Sequence, residues 1–233
     1  MTASRFVLFG PDHWAVLTLT AAAAVTAVAL ARRSRERPAG RALRAGLALF
    51  LLAGTVGYVV AELRAGRLTA WDLAPLHLCD FAIFVAVFAL LTLDRLACEL
   101  VYFWAGSGTL LAMVTPDVWL GFPDWRFLLF FGMHGGVLVS ALTLTFGFGA
   151  TPRPGAVRRV FLFTLAYAAI VAAVDFSFDK NFLFLRGKPQ TRTLLDALGP
   201  WPVYLVAAGA LGLALFVLLN LPFRRLKPHP NVC

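Results

Sequence analysis

Seven predominantly apolar stretches divide this chain, at roughly 13–31, 43–62, 74–93, 96–114, 127–148, 158–177 and 201–222. A helix needs about 20 such residues to cross the hydrocarbon core of a bilayer. Because that core holds no water, each spanning segment must satisfy its own backbone amides and carbonyls, and a helix does so. The pattern predicts an all-α, polytopic transmembrane helical bundle of seven spans, forming a single integral membrane domain over 1–233. Composition agrees: 60% of residues are hydrophobic and 14% charged, against about 45–50% and about 25% in an ordinary soluble domain. The fourth stretch is the weakest, since it carries Glu99 and the run Ala105-Gly106-Ser107-Gly108.

Basic residues orient the bundle. Thirteen of them fall in loops on one side, led by Arg32, Arg33, Arg35, Arg37, Arg41 and Arg44, and eight fall on the other. The positive-inside rule puts the richer side in the cytoplasm, with the N-terminus outside and the C-terminus cytoplasmic. The net charge of +9 is spread over these short juxtamembrane runs. No basic stripe of the kind that binds nucleic acid is present. Met1 to Trp14 lacks the charged start, short apolar run and small-residue site of a cleaved signal peptide, so none is expected. Cys79 lies toward one side and Cys98 and Cys233 toward the other, with no CxxC spacing for a structural zinc site.

Helix boundaries and packing positions follow from residue type. Pro11, Pro75 and Pro200 each stand just ahead of an apolar run, where proline suits the first helical turn. Trp14, Trp71 and Trp201 lie nearby as interfacial aromatics. Gly132, Gly136 and Ser140 in the fifth span, Gly57 and Ala61 in the second, and Gly108 and Ala112 in the fourth repeat at four-residue spacing. That spacing predicts close helix contacts.

Ionisable residues within spans are costly and ask for a reason. Here they are His77, Cys79, Asp80, Glu99, His134 and Asp175, with His13 at the first helix entry. If the third helix starts at Pro75, Cys79 lies about 6 Å along its axis, and His134 about 10 Å along the fifth. Asp175, near the end of the sixth, returns to the same layer, with Asp117 and Asn181 at its rim and Glu99 at the opposite pole. Within a helix His77 and Cys79 are about 200° apart, whereas His77 and Asp80 share a face. His134, arriving on another helix, is the better partner for Cys79. Each residue also has a structural reading: Cys79 as apolar filler, His134 as an interhelical hydrogen-bonding group, Asp80 and Asp175 as members of ion pairs or caps of polar packing, and Glu99 and Cys98 as structural or snorkelling residues.

The segment Pro75-Leu76-His77-Leu78-Cys79 opens a series of landmarks. Thr115-Pro116-Asp117, the Phe-rich segment from Phe127 to His134, Lys188-Pro189 and Leu195-Asp196-Ala197-Leu198-Gly199-Pro200-Trp201-Pro202 follow. In this order and spacing the chain resembles the YwaF-type bacterial integral membrane proteins, which are related to eukaryotic transmembrane protein 164. The eukaryotic relative is regarded as an acyltransferase that moves a fatty acyl chain between glycerophospholipids. The resemblance therefore implies an acyl-thioester route with Cys79 as nucleophile, membrane lipids as substrate and a bacterial cytoplasmic membrane as location. Asp179-Lys180-Asn181-Phe182 departs from the more neutral, tyrosine-containing loop expected there.

These readings predict a lipid acyltransferase or lipid-ester hydrolase. Cys79 attacks an acyl carbonyl and His134 serves as general base and then acid. His77 and Asp80 orient the site or stabilise an oxyanion. Arg126, Lys188 or Arg192 holds a lipid phosphate, and Asp117, Asp175 and Asn181 line the substrate rim. No cofactor is expected. Two other readings use the same residues. A transporter would relay protons or bind a cation through Asp80, Glu99, Asp175 and His134, though no inverted repeat is visible. A metal site would use His77, Asp80, His134 and Asp175, with or without Cys79, though no HExxH-like cluster is present. A non-catalytic membrane protein is the fourth reading.

Overall fold

A computed structural model describes residues 5–189 and 194–224; Arg192 and Cys233 lie outside the described residues. Helices α1 (Pro11–Ser34) and α2 (Pro38–Arg64) are followed by α3 (Leu78–Thr92) and α4 (Arg95–Trp104). A π-helical turn, Ala105–Thr109, leads α4 into α5 (Leu110–Val114). Next come α6 (Trp125–Leu142), which ends in a second π-helical turn over Thr143–Gly147, then α7 (Ala156–Phe178) and α8 (Val203–Asn220). Together these make seven helical spans long and apolar enough to cross a membrane, with Arg95–Val114 as the fourth. The described residues contain no strand beyond one isolated bridge between Arg5 and Leu120.

Capping chemistry sets several boundaries. Pro11 and Pro38 stand in the first turns of α1 and α2, where a missing N–H costs nothing. Asp94 caps α4 by accepting from the Ala97 amide at 2.9 Å. Asp124 caps α6 through the Arg126 amide at 2.8 Å. Pro75 and Pro200 do not start helices. Ala74, held before proline, is extended at φ −85° and ψ 110°, as the clash with the proline ring favours. The carbonyls of Pro75 and Leu76 both face the Tyr167 hydroxyl, at 3.1 and 3.0 Å. Helix α3 therefore begins only at Leu78, with His77 as its N-cap residue. Cys79 is then in the first turn rather than a full turn deep. His134 lies about 13 Å along α6, counted from Trp125 at 1.5 Å per residue.

The fourth and fifth spans are the most buried and form the centre of the bundle. Phe103, Trp104, Leu90, Leu51, Val137 and Leu144 make up much of its core. The Trp104 indole donates to Thr164 Oγ1 at 2.9 Å, satisfying its one polar atom. Of the expected small-residue contacts, Gly136 is the tight one: a Cβ there would meet Leu51 and Phe50 at 2.9 Å. Gly132, Gly57 and Gly108 leave ordinary van der Waals room. Gly54 is a close approach outside those patterns, since a Cβ on it would overlap the Met133 sulfur.

His13 is a core staple. It is fully buried, accepts from the Phe9 amide at Nδ1 (3.0 Å) and donates from Nε2 to the Met113 carbonyl (2.8 Å). At the end where α4 and α7 begin, Glu99 is 1% exposed and paired with Arg153 (2.9 Å) and Arg159 (2.8 Å). Arg32, Arg35 and Arg44 reach the carbonyls of Phe146, Gly147 and Leu90 at the same end.

Candidate functional site

At the other end, where α3 and α6 begin and α2 finishes, the helices part around a cavity of about 690 Å³. That volume lies within the range of about 300–1,000 Å³ typical of small-molecule sites. Its lining runs along α6 from Trp125 to Val137, about 18 Å at the helical rise. The deep walls are apolar, with Ile83, Leu129, Phe130, Met133 and Val137. Tyr58 and Phe84, each 40% exposed, also line it, so it opens toward the flank that faces lipid.

His77, Cys79, Asp80 and His134 all line this cavity, with Arg126 at its mouth. The local fold explains the grouping. His77 has φ −70° and ψ 143°, outside the helix it caps, so the 200° separation expected within a helix does not apply. Its ring rests against Phe182 and Phe184, with centroids at 5.2 and 5.8 Å. It supplies no side-chain cap to α3, so the first-turn amides around Cys79 remain potential anion donors. Asp80 is exposed at the cavity. Tyr167, stacked on Phe81 at 4.6 Å, clamps the carbonyls just ahead of this turn.

His134 has a defined tautomer. Its Nδ1 lies 2.8 Å from the Phe130 carbonyl, and a carbonyl can only accept, so Nδ1 carries the proton. The ring stacks on Phe130 with centroids 4.2 Å apart. In the neutral imidazole Nε2 is left with its lone pair. No hydrogen bond joins Cys79 to His134 among the described residues; the free Cys79 thiol and the His134 imidazole line the same cavity.

Arg126 is exposed and lies over the Trp125 ring at 4.7 Å. Glu62, Trp71, Asp72 and Thr109 join the lining and were not among the sequence candidates for this site. Glu62 and Asp72 flank spans where charged residues are ordinary, so nothing in their spacing marks them. Glu62 grips Arg67 at 2.9 Å, which raises the Arg67 pKa. Asp72 closes a capping box with Thr69.

The remaining sequence candidates lie elsewhere. Asp175 is fully buried and does not line the cavity. Its Oδ1 accepts from the Phe182 amide at 2.9 Å, while Oδ2 has no partner among the described residues. It ties the end of α7 to the following loop. Asn181 belongs to the same loop, bonded to the Gly187 carbonyl and the Arg186 amide. Asp179 there pairs with Arg186 at 2.6 Å, and the guanidinium holds its carboxyl below the usual range. Lys188 faces Asp196 at 3.8 Å and the Tyr204 ring at 5.5 Å. Asp117 is exposed and also off the cavity. No three His, Cys, Asp or Glu side chains among the described residues are arranged to hold a metal ion.

Seven apolar spans, with titratable side chains gathered around a lipid-facing cavity at one end, define a polytopic membrane protein with an interhelical site. The chain belongs to the TMEM164 family, whose family model matches residues 8–220. No curated protein and no solved structure matches it.

Proposed function

We propose that this protein transfers or hydrolyses fatty acyl groups of membrane lipids at the Cys79–His134 cavity. The observation that carries this reading is that Cys79, His134, His77, Asp80 and Arg126, drawn from two helices and the turn ahead of one, line a single lipid-sized cavity.

The chemistry runs in two halves. His134 Nε2 takes the Cys79 thiol proton as Sγ attacks the acyl carbonyl of a glycerophospholipid. The tetrahedral oxyanion is met by the uncapped amides of the α3 first turn. Collapse breaks the ester C–O bond, leaves an acyl thioester on Cys79, and the departing lysolipid oxygen takes the proton back from His134. In the second half His134 removes a proton from a lysolipid hydroxyl or from water. That oxygen attacks the thioester, and the thiolate leaves and is reprotonated. A lysolipid acceptor gives transfer and water gives hydrolysis. Arg126 at the mouth suits a lipid phosphate, and the apolar walls suit the acyl chain. The basic-residue count supports placing this end at the non-cytoplasmic leaflet.

The test uses purified protein in proteoliposomes holding an acyl-labelled phospholipid and a lysophospholipid. Wild type is expected to form labelled product from the lysolipid or labelled free fatty acid. Cys79→Ala is expected to abolish either, and His134→Ala to slow it by about 10²-fold or more. Undiminished turnover by Cys79→Ala would sink the proposal.

A further inference from the structure

A second groove lies at the opposite end of the bundle, between α7 and α8, with a volume of about 470 Å³. Phe161, Leu162, Leu213 and Val217 form its walls, and Leu162, Leu213 and Val217 are 56%, 36% and 42% exposed. Arg158 and Arg224 stand at its polar end, and no acidic residue lines it. Both arginines are exposed, and neither guanidinium has an ion-pair partner among the described residues. Arg153 and Arg159, close by in sequence, are instead committed to Glu99. Gly155, also on the groove, caps α7 without a side-chain acceptor. Two uncompensated cations therefore sit at the headgroup end of an apolar, lipid-facing furrow.

We propose that this groove binds an anionic glycerophospholipid from the surrounding leaflet. Its phosphate lies between Arg158 and Arg224, and one acyl chain packs along Leu162, Leu213 and Val217. Charge complementarity selects the occupant. Guanidinium groups bind phosphate oxygens in paired geometry, and basic pockets between spanning helices suit anionic headgroups. A zwitterionic lipid would bring an ammonium group to a site with no acid to receive it. The site is separate from the Cys79 cavity and does not depend on its chemistry.

The experiment is native mass spectrometry of the full chain released from membranes containing equal amounts of phosphatidylglycerol and phosphatidylcholine. Wild type is expected to retain phosphatidylglycerol in preference. Arg158→Gln and Arg224→Gln should each cut that preference by about fivefold, the worth of one basic residue near an anionic surface. Val217→Trp keeps both arginines but fills the furrow, and should also lose the lipid. Arg41→Gln, which removes an exposed charge at the same end, should leave retention intact. Equal retention of both lipids by wild type would overturn the proposal, and so would an equal loss in Arg41→Gln. Displacement of the lipid by soluble glycerol phosphate would also overturn it, because the site would then be one for a free phosphate.

Discussion

At one end of the bundle Glu99 is 1% exposed and accepts five hydrogen bonds from Arg153 and Arg159. At the other end His77, Cys79 and Asp80 face a cavity with no side-chain hydrogen bond among the described residues. Both ends carry the kind of residue that is expensive in a membrane. The Glu99 cluster neutralises the expense internally, so those groups hold the helices together. The second end leaves donors and acceptors open to whatever enters. A polar group inside a membrane protein is informative about function when its bonding capacity is unspent.

Breaking the paired end should have the largest effect. Glu99→Gln leaves two arginine groups facing a neutral amide, and removing one partner of a buried pair costs about 3–5 kcal/mol. Since Arg153 and Arg159 are themselves about one-third exposed, the lower figure is expected. Denaturant unfolding in detergent micelles checks it, and a loss under about 0.5 kcal/mol, the range of ordinary surface changes, would place Glu99 outside the structural set.

The cavity end should respond in the opposite way. His134→Gln is expected to lower stability by no more than about 1 kcal/mol, the worth of one hydrogen bond to the Phe130 carbonyl, while removing about 10²-fold or more of lipid turnover. A large stability loss with turnover intact would make this histidine a packing residue like His13.

Helix approach at the cavity is the next test. Gly54→Leu pushes α2 against Met133, a cavity residue, and overpacking costs about 1–3 kcal/mol. Met133→Ala in the same chain should recover part of that loss, as unfolding midpoints would show.

The smallest effect is electrostatic and lies outside the spans. Asp179 has its folded pKa lowered by Arg186. Its contribution is therefore present at neutral pH, above the unfolded value near about 3.9. It is lost as pH falls through the depressed folded value. Arg186→Gln should flatten the acid limb of stability against pH below about 4, where the free carboxyl titrates. An unchanged slope would show that the pair contributes nothing.

The seven spans were legible in the sequence because apolar length is a direct consequence of bilayer thickness. The grouping of His77, Cys79, Asp80, His134 and Arg126 was also within reach, since boundary positions place them at one end. The angle between His77 and Cys79 was not. Pro75 reads as a helix start, yet the Tyr167 hydroxyl, more than 90 residues away, holds the Pro75 and Leu76 carbonyls outside the helix. That one contact moves the start of α3 to Leu78 and turns His77 from a helical residue into a cap beside Cys79. The place of Asp175 was hidden for a related reason: no spacing shows that the Phe182 amide donates to it and ties it to the following loop. Glu62 and Asp72 carry no local signal, because charge near a span end is the ordinary case.

The central claim is that the unspent groups at the cavity, above all the Cys79 thiol, react with lipid acyl groups. The most direct measurement is peptide mass spectrometry of the protein quenched during turnover with phospholipid, with and without hydroxylamine. The account predicts an acyl mass on the Cys79 peptide that hydroxylamine removes and that Cys79→Ser converts to a hydroxylamine-resistant ester or abolishes. Steady lipid turnover with no acyl group at Cys79 in wild type, and undiminished in Cys79→Ala, would contradict it.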